Sequence, residues 1–152
     1  MKLWKLIAAG CLPAIAGCLL SACGVGAADA ADDAKLWQGT WKLVSATENG
    51  QPQTGDLQWV VDGDHYNIRL NGVTHQDPYQ ITLDPAQKHI DVFHHEVPKG
   101  NYYGGSVKGI YEIRSDSLRV CYDLTGRAYP ASFDAGPGSR RAIFEFRRDG
   151  PR

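Results

Sequence analysis

Between Trp41 and Phe146 the apolar residues of this chain recur at every second position, in short runs stopped by turn dipeptides. Leu57, Trp59 and Val61 run up to Asp62-Gly63. Tyr66, Ile68 and Leu70 run up to Asn71-Gly72, and Tyr79, Ile81 and Leu83 up to Asp84-Pro85. Trp41, Leu43 and Ser45 share one parity ahead of Asn49-Gly50. Ile90 with Val92, Tyr111 with Ile113, Leu118 with Val120 and Tyr122, and Ala142 with Phe144 and Phe146 complete the series. A period of two sends successive side chains to opposite faces of a strand, and Asn-Gly and Asp-Gly accept the backbone of a tight hairpin. No apolar stripe of period 3.6 persists long enough to specify a helix. About eight short strands at close spacing predict an all-β, antiparallel up-and-down barrel, because closure removes the unpaired edges of an open sheet.

The N-terminal segment belongs to no fold of this kind. Lys2 and Lys5 form a positive start, and Leu6 to Leu20 is apolar apart from Gly, Cys and Pro13. That layout is an export signal, too short and too broken for a spanning helix. Leu20-Ser21-Ala22-Cys23 resembles the bacterial lipobox, in which the cysteine thiol takes up a diacylglyceryl group and becomes the first residue. Ile15-Ala16-Gly17-Cys18 is the alternative, with a shorter apolar core, and Ala28-Asp29-Ala30 would serve an ordinary secretory cleavage. The expectation is a signal over residues 1–22, acylation at Cys23, and a membrane-anchored lipoprotein facing the periplasm or cell surface. A soluble secreted product is the alternative. Two or more acyl chains hold firmly where one does not. Residues 23–34, rich in Ala, Gly and Asp, read as a flexible tether. Residues 35–149 form one domain, followed by a tail over 150–152.

Loss of the signal takes Lys2 and Lys5, so 16 basic residues fall to 14 against 17 acidic ones, a net charge of −3. Mild acidity argues against nucleic acid as a partner. Cys11 and Cys18 leave with the signal and Cys23 goes to lipid, so Cys121 remains alone and no intrachain disulfide can form. The domain must hold by its core.

Two residues at the domain ends bear on the barrel floor. Gly39-Thr40-Trp41 opens the first strand and resembles the G-x-W that begins lipocalins, whose tryptophan plugs the barrel floor beneath an arginine of the last strand. The chain closes with "IFEFRRD", where parity puts Arg148 with Phe144 and Phe146, and Arg147 with Glu145 and Arg141. Arg148 is therefore the residue expected on the Trp41 ring.

A wider resemblance covers nearly all of the domain. Leu36 to Gly50 (with Trp37 intervening), Ile90-Asp91, Gly109-Ile110-Tyr111 and Leu118 to Tyr122 match, in order, the segments of an uncharacterised lipocalin-like domain family known mainly from planctomycetes. Arg127-Ala128-Tyr129-Pro130 departs from it by separating an Arg from a Pro that the family keeps adjacent. The resemblance implies a fold and no activity.

No catalytic constellation emerges. Cys121 shares a face with Arg119 and Asp123 and lacks a histidine partner, which suits an inert thiol. His89, Asp91 and His95 fall on one strand face and are weak metal candidates, since no strong ligand spacing accompanies them. His94 falls on the opposite face, with Ile90 and Val92, pointing inward. The glycine-rich stretch "EVPKGNYYGGSVKG" lacks a phosphate-loop pattern, and its Tyr102 and Tyr103, with Arg127 of the longest loop, are candidates for a rim. Ser132, Asp134 and Ser139 have no triad spacing. No cofactor is implied.

Three functions are open at this level. A binding module would hold a small, partly apolar molecule among Trp59, Tyr66, Tyr79, His94, Tyr111 and Tyr122, and an interior void of roughly 300 Å³ or more would favour it. A structural or interaction domain touching an envelope protein would have its barrel filled by those aromatics together with Phe144 and Phe146. A metal-assisted enzyme is the third and has the least support.

Overall fold

The computed structural model describes residues 27–75, 79–94 and 105–150. Ten strands follow one helix: α1 (Ala27–Trp37), β1 (Gly39–Glu48), β2 (Gln51–Gln53), β3 (Leu57–Asp62), β4 (His65–Leu70), β5 (Val73–Thr74), β6 (Tyr79–Asp84), β7 (His89–His94), β8 (Ser106–Ile113), β9 (Ser117–Asp123) and β10 (Arg141–Arg148). Eight of them pair antiparallel in the order β10-β9-β8-β7-β6-β4-β3-β1, and β1 pairs back onto β10. The sheet is a closed eight-stranded up-and-down barrel. The short β2 and β5 are extra, lying on β1 and β4 respectively.

The turns do what their residues allow. Asn49-Gly50 and Asn71-Gly72 take positive φ at both positions, the geometry whose twist matches two antiparallel strands. Gly63, not Asp62, takes the positive φ between β3 and β4. Alternation then sorts the faces: Trp59 and Val61 of β3, Ile90 and Val92 of β7, and Leu118, Val120 and Tyr122 of β9 are all buried.

Two expectations require correction. Ser45 does not share a face with Trp41 and Leu43. The register on β10 slips between Leu43 and Ser45, leaving Val44 exposed, Ser45 outward against Glu145, and Ala46 buried. A bulge inserts one residue into a strand and flips every position beyond it, which simple parity counting misses. Nor is the chain a tether up to Ala34, since Ala27–Trp37 is helical. No described helix is long and apolar enough to cross a membrane. The helix docks through two residues. Trp37 is wholly buried with its ring edge-on to Tyr111 at 5.5 Å. Asp33, also buried, accepts hydrogen bonds from Lys88 Nζ and Tyr111 Oη, both at 2.6 Å. One apolar and one charged contact are too few to print a helical stripe on the sequence.

Candidate functional site

The two ends of the barrel are built differently, and the closed one positions the other. At the closed end Trp41 of β1 is fully buried and donates its indole N–H to the Trp37 carbonyl at 2.8 Å. Arg148 pairs with Trp41 across β10 and β1, and its guanidinium lies 4.1 Å from the indole ring centroid. The same guanidinium donates to the carbonyls of Leu36, Gln38 and Ser115. Arg148 thus caps the C-terminus of α1, where carbonyls lack helical partners and the helix dipole favours a cation. Gly39 makes room for it: φ is +105°, and a Cβ there would stand 3.0 Å from an Arg148 nitrogen. Arg147 points outward to Asp116, 2.9 Å away.

At the other end a cavity of about 180 Å³ remains between the strands. Its base is Trp59, which packs on Phe146 below at 4.2 Å and on Phe144 at 5.8 Å. One wall is a ladder of rings from consecutive strands. Trp59 stacks on Tyr66 at 4.8 Å, Tyr66 on Tyr79 at 5.0 Å with planes 8° apart, and Tyr79 meets His94 at 4.4 Å. Register causes this, because Tyr66 lies opposite Tyr79 and Tyr79 opposite His94. Cross-strand aromatic pairs of this kind also stabilise the sheet. Aliphatic side chains fill out the lining, Leu57, Ile68 and Val92 from the strands of the ladder itself and Val107 and Leu124 from beyond them, with Ser106 beside Val107.

Tyr122 completes the lining from β9. Its ring folds over Gly109 of β8, directly opposite, where a Cβ would come within 2.6 Å of the ring. Its hydroxyl is buried and makes no hydrogen bond among the described residues. The Tyr66 hydroxyl stands nearby, but the geometry between the two falls short of a hydrogen bond. Burial pushes the ionisation of both phenols upward, and for Tyr66 the neighbouring Tyr122 and Tyr79 add to the rise. The cavity is therefore neutral at its phenols. No Asp, Glu, Lys or Arg is among its described lining residues.

Five of the six aromatic and histidine positions singled out for ligand lining, Trp59, Tyr66, Tyr79, His94 and Tyr122, meet at this cavity. Tyr111 does not. It belongs to the closed end, where burial, and then its hydrogen bond to Asp33, push its ionisation up. Inward parity was right for Tyr111, but parity carries no information about height along the barrel axis.

The outer face around β7 is occupied by the protein itself. The long loop after Asp123 runs down the outside of the sheet, and Tyr129 stacks on His89 at 3.8 Å. Tyr129 Oη donates to Asp91 at 2.7 Å, and Lys108 Nζ donates to Asp91 at 3.1 Å while lying over the Tyr129 ring. His89 and Asp91 are thus engaged with a strap and only half-exposed. No group of three metal-ligating side chains occurs among the described residues. Arg127 is exposed on the strap. Cys121 faces outward, as its parity required, yet is fully buried because the strap covers it, with Sγ 3.9 Å from the Asp134 carbonyl. Burial raises its thiol pKa, which suits an unreactive residue. Cys18, Cys23, His95, Tyr102 and Tyr103 lie outside the described residues.

Sequence reasoning missed Trp37 and Asp33, and the signal for both was weak. An aspartate in an Ala-rich segment looks like solvated linker until its partners from β8 and the turn before β7 are brought beside it. No protein-family model matches this chain, and neither a curated protein nor a solved structure matches it; its barrel is the ground on which its function is argued.

Proposed function

We propose that this chain is an exported, lipid-anchored domain of lipocalin-like type that holds a small, partly apolar molecule in the cavity above Trp59. One observation carries the reading: a barrel with enough aromatic side chains to fill itself instead leaves about 180 Å³ unfilled, lined by apolar walls and a buried hydroxyl without a partner among the described residues. Cores close-pack, and a void costs stability unless something repays it. Export and anchoring rest on the sequence alone, through Lys2, Lys5, the apolar run and Cys23.

A second reading has its own support. The cavity is smaller than the roughly 300 Å³ of ordinary small-molecule pockets, as a structural or interaction domain with a mostly filled barrel requires. Native mass spectrometry of the full-length protein isolated from its own host separates the two. The binding reading expects a stoichiometric co-purifying small molecule, lost in a Val107→Trp variant that fills the cavity. A single mass equal to the chain and its modification favours the interaction domain. Acylation is tested separately: Cys23→Ala should abolish labelling by a lipid precursor and shift the protein out of the detergent phase.

A further inference from the structure

The lining of the cavity restricts the chemistry of what it takes. A cavity of about 180 Å³ compares with the roughly 150 Å³ of an engineered apolar cavity that accepts benzene. One six-membered ring with one or two further heavy atoms fits, whereas a fatty acyl chain or a fused polycycle does not. The shape agrees with the volume, because the rings from Trp59 through Tyr66 and Tyr79 to His94 stack on one another and so turn their edges, rather than their faces, along the wall. A planar aromatic guest gains edge-to-face contacts there that a puckered ring of the same size cannot match. The lining also sets the charge. A carboxylate or ammonium would enter a site whose described side chains hold no fixed countercharge, and a buried unpaired charge is costly. Finally, Tyr122 Oη is a buried donor with nothing to donate to among the described residues. A guest oxygen that accepts from it removes a penalty already present in the empty barrel.

We infer that the ligand of this cavity is a small, neutral, monocyclic aromatic molecule carrying one hydroxyl or carbonyl oxygen, held by edge-to-face contacts with the ring ladder and by a hydrogen bond from Tyr122. The inference rests on the binding reading above and narrows it to a ligand class. Charged aromatics and aliphatic rings are the guests it excludes.

The test is a titration of the full-length chain with four probes of similar size, followed by Trp59 fluorescence and by NMR. The probes are benzyl alcohol, toluene, cyclohexylmethanol and benzoate. Benzyl alcohol should bind about tenfold more tightly than toluene, the value of one hydrogen bond made to an otherwise unsatisfied group. It should also outbind cyclohexylmethanol several-fold, and benzoate should bind at least about a hundredfold more weakly. In Tyr122→Phe, which keeps the ring and the packing, benzyl alcohol and toluene should bind alike. Equal binding of cyclohexylmethanol and benzyl alcohol, comparable binding of benzoate, or an oxygen preference that survives Tyr122→Phe each overturn the ligand class. Failure of all four probes while the host-isolated protein carries a different co-purifying mass overturns the class and leaves the binding reading standing. Failure of all four with no such mass overturns both.

Discussion

The floor and the mouth of this barrel use the same residue types to opposite ends. At the floor, Trp37, Trp41, Tyr111 and Phe146 are buried to within 2% of completely, and a helix and an arginine close over them. At the mouth, Leu57, Ile68, Tyr79, Val107 and Phe144 are only partly buried, and a void lies among them. Both ends are rich in aromatics, so composition does not separate them. The difference lies in what covers the rings. Trp41 has its N–H satisfied, its face covered by a cation and its neighbour supplied by α1, whose own Trp37 N–H has no described partner; Tyr122 has a ring packed on a glycine, a hydroxyl that likewise has no described partner, and a void beside it. A protein invests in stability where packing can be complete and forgoes it where function needs access; on the binding reading proposed above, the mouth is the end that meets the ligand.

The strongest challenge to this contrast is truncation of an aromatic at each end. Trp41→Ala should cost about 3–5 kcal/mol and Phe144→Ala roughly 1–2, because only the first opens a cavity in a fully enclosed region. Equal shifts in urea midpoint would erase the distinction. Next in size is the arginine pair. Arg148→Ala removes a ring contact and three carbonyl bonds, for about 2–3 kcal/mol. Arg147→Ala removes an exposed ion pair and should change the midpoint by less than about 0.5 kcal/mol. Equal midpoints would show that the last strand's phase does not set the floor.

A smaller effect tests the helix as part of the floor. Asp33→Ala leaves the Tyr111 hydroxyl and Lys88 without their shared acceptor. Tyr111 is buried and Lys88 is about half exposed, so water recovers part of the loss and about 1–2 kcal/mol is expected. Limited proteolysis should then cut near Trp37; if cutting is unchanged, α1 is a passenger rather than a cap. The smallest effect belongs to the mouth. At neutral pH Tyr122→Phe should shift stability by no more than about 0.5 kcal/mol, and in the stabilising direction, since the lost hydroxyl had no partner among the described residues.

Alkaline pH makes the Tyr122 site visible. Tyr66 and Tyr122 ionise near pH 10 in the unfolded chain and are pushed well above that by burial. The fold therefore keeps their full contribution below about pH 10 and loses it as pH rises beyond, while the unfolded chain sheds protons that the folded one retains. Tyr122→Phe should flatten that alkaline decline. An unchanged slope would place the phenol in water rather than in the cavity.

Much of the architecture could be read along the chain, and its failures are instructive. The eight principal strands follow from alternation and from Asn-Gly and Asp-Gly turn signals, which are local properties, although the turn after β3 falls one residue later, on Gly63-Asp64. Arg148 could be told from Arg147 by counting from Phe146, because β10 is regular throughout. The same counting failed at Ser45, since nothing in Leu43-Val44-Ser45 announces a bulge that arises from the fit of β1 to two neighbours. The inward set was also correct as a set, yet Tyr111 and Tyr122 could not be assigned to opposite ends without the stagger of the strands.

Local hydropathy and turn chemistry were enough to make this chain a closed antiparallel cylinder, to orient side chains in or out except beyond the bulge of β1, and to mark Trp41 and Arg148 as partners. Where along the axis each ring sits, which end is sealed, and that a segment reading as linker becomes a helical cap all depended on residues far apart in sequence. The reason is physical. Side-chain direction is set by the backbone of one strand, whereas the packing of a volume is set by every strand that surrounds it.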